Sequence, residues 1–165
     1  MAIKANFGDD EWKLILGSPF MAGMAVTLAE PSGLWGIFKE SLASGQALLG
    51  AKGDGKAGAL AQAIVADMEG SEGRGEARET LRAELAGKSP ADAKQSILAM
   101  LTRVAAIVDA KAPAEAPAFK TWLSQVAEAV ANASSEGGFM GFGGTQVSAA
   151  ETATLTDVAK ALRAA

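Results

Sequence analysis

The chain has 165 residues and a formal net charge of −4, from 15 basic and 19 acidic side chains. It is rich in Ala, poor in aromatics and free of both Cys and His. These absences remove disulfides, thiolate metal sites, thiol nucleophiles, Ser–His relays and the usual general base near neutral pH. The acidic balance lacks the basic patch that marks a nucleic-acid surface.

Ala has the highest intrinsic helix propensity, and its small side chain lets helices approach closely. The alternating runs of half-buried strands are missing. The sequence therefore predicts an all-α fold: a compact bundle of about six or seven short helices in one domain over 1–165. MAIKANFGDD carries no apolar core of a secretory signal. The most apolar stretch, Ser18 to Ala29, is closed by Glu30-Pro31 and falls short of the roughly 20 residues a membrane span needs. The expectation is a cytoplasmic protein without a transmembrane segment.

In chain order, residues 1–9 read as a tail and Asp10 as the N-cap of a helix to about Ala29. Gly17-Ser18-Pro19 predicts a kink or break, because proline removes one intrahelical hydrogen bond and clashes with the preceding turn. A second helix, Leu34 to Ala51, carries Leu34, Ile37, Phe38, Leu42 and Leu49 on one stripe and completes a helical hairpin. A third, Lys56 to Glu69, places Leu60, Ile64 and Met68 at four-residue spacing. The polar, Gly-rich stretch 70–75 is read as a flexible joint ahead of a charged helix from Glu76 to Ala86.

Ser89-Pro90-Ala91-Asp92 is a strong helix start, with a capping hydroxyl, proline at the first position and an acid in the first turn. That helix runs to about Lys111 with Ile97, Leu101, Val104 and Val108 inward. The next, Ala118 to Ser134, aligns Phe119, Trp122, Leu123, Val126 and Val130. Ser148 and Glu151 form a capping box that opens the last helix.

Three patterns resemble chemical motifs and fail on inspection. Gly50 to Ala57 approaches a phosphate-binding loop, but Ala57 stands where a magnesium-ligating hydroxyl is needed and a helix precedes it. Gly141-Phe142-Gly143-Gly144 has the glycines of a dinucleotide fingerprint without its strand or spacing. Glu69, Glu72, Glu76 and Glu79 alternate with Arg74, Arg78 and Arg82, the mark of a solvated ion-pair face. No catalytic set, cofactor or metal site emerges, so the chain reads as a non-enzyme.

What remains is apolar material in loops. Trp35, at a loop-to-helix junction, and Phe139, Met140 and Phe142, in a Gly-rich loop, are candidate contacts for a partner or ligand. The leading expectation is a protein–protein interaction or adaptor module, with self-association in view. The alternative is a binding protein for a small apolar ligand held between helices. Pro31-Ser32-Gly33-Leu34-Trp35-Gly36 and Glu136-Gly137-Gly138-Phe139-Met140-Gly141-Phe142-Gly143-Gly144 together resemble an uncharacterised family of small bacterial all-helical proteins. The resemblance implies a bacterial, intracellular protein and brings no activity, cofactor or catalytic residue.

Overall fold

A computed structural model describes residues 3–29, 57–136 and 147–163, with side chains left out at 133–136. After a 3-10 turn over Lys4–Asn6 come α1 (Asp9–Ala29), α2 (Gly58–Glu69), α3 (Ser71–Leu85), α4 (Pro90–Lys111), α5 (Ala116–Glu136) and α6 (Ala149–Arg163). The fold is an all-α bundle, as the composition predicts. The expected helix over 34–51, and with it the second arm of the hairpin, lies outside the described residues.

α1 is the axis of the bundle. It packs against all five other described helices. Every residue from Leu14 to Gly23 is buried, so no face of these turns meets water. This explains the weak amphipathic pattern of the segment: a helix that is apolar all round belongs inside. By length and composition α1 would also suffice to cross a membrane, and in the bundle 83% of its most apolar window is buried. The other helices are two-sided. α4 buries Ile97, Leu101, Val104, Ala105 and Val108, and α5 buries Phe119, Trp122, Leu123, Val126 and Ala127. One continuous apolar core joins residues of all six helices.

The expected break at Pro19 does not occur, because α1 runs through it. Proline leaves the Ile15 carbonyl without its usual N–H partner, four residues on. The buried Ser18 hydroxyl donates to that carbonyl at 2.6 Å, supplying a substitute donor. The pair Ser18-Pro19 is thus locally self-consistent, which a rule about proline alone misses. Further along, Thr27, also buried, donates to the Gly23 carbonyl at 3.2 Å.

The N-terminus of α1 also differs from expectation. The helix begins at Asp9, and Asp10 lies inside its first turn. Glu11 reaches back to accept from the Gly8 amide at 2.7 Å, closing the start. The same carboxylate meets Lys111 at 2.6 Å, which brings the end of α4 to the start of α1. α1 and α4 therefore run antiparallel.

The stretch 70–75, read from sequence as a joint ahead of a helix at Glu76, is helical from Ser71 on. α3 starts at Ser71, so Gly73 and Gly75 are helical and Gly70 alone, in extended backbone, separates α2 from α3. A Cβ on Gly73 would lie 2.4 Å from the Asp67 carbonyl oxygen. Glycine is there to let the second helix abut the end of the first. The two strong start signals hold: the Ser89 hydroxyl accepts from the Asp92 amide at 3.2 Å. Ser148 and Glu151 exchange amide hydrogen bonds at 3.1 and 2.9 Å.

Candidate functional site

The described residues form a groove of about 500 Å³ where the start of α1 faces the α2–α3 junction. Its walls come from three places: Lys4 in the N-terminal turn, Asp9, Trp12 and Lys13 on α1, and Asp67, Glu72, Gly73 and Glu76 across the junction. Local structure explains the convergence. Asp9 and Lys13 are four apart on one helix face. Asp67 is close to the C-terminus of α2, and the close abutment at Gly73 swings Glu72 and Glu76 toward it.

Asp67 is the centre of the arrangement. Its Oδ2 accepts from the Lys4 ammonium at 2.6 Å and from the Trp12 indole N–H at 2.9 Å. The Lys4 ammonium also stands 5.4 Å from the centroid of the Trp12 ring, within the range of cation–π attraction. Phe7 also packs against Trp12, at a centroid distance of 5.9 Å. Lys13 meets Glu76 at a looser 3.7 Å.

Partial burial pushes the Asp67 carboxyl up. The hydrogen bonds from Lys4 and Trp12, with the charge of Lys4, outweigh that and leave it below the ordinary aspartate range. Asp67 is thus a fixed negative charge near neutral pH. A general acid or base works best with a pKa near the operating pH, and Asp67 is tuned away from it. Glu11 is likewise lowered, first by its hydrogen bond from Lys111 and then by that from Gly8.

The four candidates from sequence, Trp35, Phe139, Met140 and Phe142, all lie outside the described residues. Met21, whose soft thioether is a potential metal ligand, is fully buried in the core. Among the described residues, no group of three or more acidic side chains is placed to hold a metal ion. Sequence reasoning missed Lys4, Trp12 and Asp67 as a unit. The 55 and 63 positions between Asp67 and its two partners leave no local signal to read. No family model matches the chain, and no curated protein or solved structure matches it.

Proposed function

We propose that the protein is a non-enzymatic interaction or adaptor module that works through its surface. The observation that carries this reading is the geometry at Asp67: a carboxylate held by an ammonium and an indole at the rim of a charged groove. Such a group recognises charge and shape and is poorly placed to transfer protons. The continuous core beneath it supplies a rigid support, the usual requirement for a recognition surface on connecting segments. In this reading Trp35, Phe139, Met140 and Phe142 are apolar contacts and the groove a polar one, with a second copy of the chain or another protein as partner.

Sedimentation velocity over a wide concentration range, on the native chain and on Trp35→Ala and Phe139→Ala/Phe142→Ala variants, tests it. Self-association that weakens in the variants supports the reading. A strict monomer that also captures no specific partner from cell extract contradicts it. The alternative, a small apolar ligand between helices, has less support, because large side chains such as Phe119, Ile15 and Leu123 already occupy the interior. Native mass spectrometry showing a recurrent co-purified small molecule would reverse that order.

A further inference from the structure

We propose that the groove between the start of α1 and the α2–α3 junction seats an arginine side chain presented by a partner protein. The proposal rests on the interaction reading above for its partner and adds the chemistry that recognises it. The walls do not balance their own charge. They carry four carboxylates, Asp9, Asp67, Glu72 and Glu76, against two ammoniums, Lys4 and Lys13. Lys4 is committed to Asp67 at 2.6 Å and Lys13 to Glu76 at 3.7 Å. The side chains of Asp9, on the α1 wall, and Glu72, on the α3 wall, make no ion pair or hydrogen bond with a described residue. Both ammoniums of the walls are therefore used, and two carboxylates are left over.

The groove already holds one cation. The Lys4 ammonium lies against Asp67 and 5.4 Å from the centroid of the Trp12 ring. Lys4 keeps that place, because Ile3 at the head of its turn packs against the core, and the guest enters beside it. The floor is Ala66 and the edge of Trp12, which is only 4% exposed. An apolar floor under walls of one charge sign concentrates their field, and the net charge of −4 on the chain adds to it. The geometry then selects among cations. A volume of about 500 Å³ takes a long side chain and is far more than a bare ion fills. Among the described residues no three acidic side chains converge on a metal position, and the two open carboxylates stand on opposite walls. A group that satisfies both must present N–H donors in several directions. Guanidinium does so with five donors in a planar fork and is weakly hydrated, whereas ammonium is a compact, strongly hydrated point charge.

Proton–nitrogen NMR tests this, with the Trp12 indole N–H and the amides of Gly70 and Gly73, all at the walls, followed as acetyl-Gly-Arg-Gly-amide is added. These signals should shift together and saturate in the millimolar range, while the Trp122 indole, in the core, stays in place. An Asp9→Asn/Glu72→Gln variant should bind about ten-fold more weakly, the loss expected for two exposed charge pairs. Its unchanged Trp122 signal checks that it is folded. Glu84→Gln, exposed on α3 and outside the groove, should bind like the native chain. The lysine counterpart of the peptide should bind several-fold more weakly, and the uncharged citrulline counterpart should leave the signals unmoved. Shifts that never saturate, a double variant that binds like the native chain, or a lysine peptide that binds as tightly as the arginine one overturns the proposal. A chain that stays monomeric and captures no partner, yet binds the arginine peptide through Asp9 and Glu72, supports the groove's chemistry and contradicts only the reading of the whole protein.

Discussion

The middle of α1 and the surface at its start are held by opposite means. From Leu14 to Gly23 the helix is enclosed on all sides, and its polar side chain there, Ser18, is satisfied within the helix itself. A few residues earlier, Lys4, Trp12 and Asp67 are tied by charge and hydrogen bonds across distant parts of the chain. The first region is expected to be insensitive to salt and pH and intolerant of volume change. The second is expected to tolerate substitution and to respond to solution conditions. Stability is thus to be sought in the enclosed turns of α1, and recognition at the polar surface near its start.

The largest break comes from the core. Phe119→Ala should cost about 3–5 kcal/mol, as deletions of buried aromatics do, measured by urea denaturation. The Gly73→Ala variant tests the abutment of α2 and α3. Its Cβ would press on the Asp67 carbonyl, at about 1–3 kcal/mol, the usual range for overpacking. A Gly73→Ala protein as stable as the native one would mean that the junction is loose.

Ser18→Ala sharpens the account of the proline. It should cost about 1–3 kcal/mol by leaving the buried Ile15 carbonyl unsatisfied. In a Pro19→Ala background the same change should cost markedly less, since residue 19 then donates to Ile15. The coupling in that double-mutant cycle is the quantity to measure, and its absence would show that Ser18 does not substitute for the missing N–H.

The smallest effect lies at the groove. Asp67 has its carboxyl pKa lowered in the folded state, so its contribution is present above the ordinary aspartate pKa. It is lost as pH falls below the ordinary aspartate range and through the lower folded value. Asp67→Asn should lower stability at neutral pH by under about 1 kcal/mol, as exposed pairs do. The difference from the native chain should vanish in strong acid. A deficit that persists there would point to lost packing and not lost charge.

Much of the bundle was legible because its signals are local. Ser89 and Ser148 announce helix starts within four residues, and the spacing of Phe119, Trp122, Leu123 and Val126 fixes a face. The failures share a cause: each depends on a partner the rule did not consider. Pro19 predicts a break unless Ser18 is read with it. The glycines of 70–75 suggest a joint unless Asp67 stands against Gly73. Glu115, in the α4–α5 turn, accepts from the Leu60 amide at the start of α2, 55 residues away. Gly58, at φ +82°, leaves room for that carboxylate where a Cβ would sit 2.7 Å from it. None of this is visible before the fold is known, and the same holds for the Lys4–Asp67–Trp12 group.

α1 is the enclosed axis of the bundle. Native-state hydrogen exchange across Leu14 to Val26, with and without lipid vesicles, tests it most directly. These amides should exchange only through global unfolding, with a free energy equal to that from urea denaturation and unchanged by vesicles. Exchange through a cheaper partial opening, or protection that shifts when vesicles are added, would contradict it.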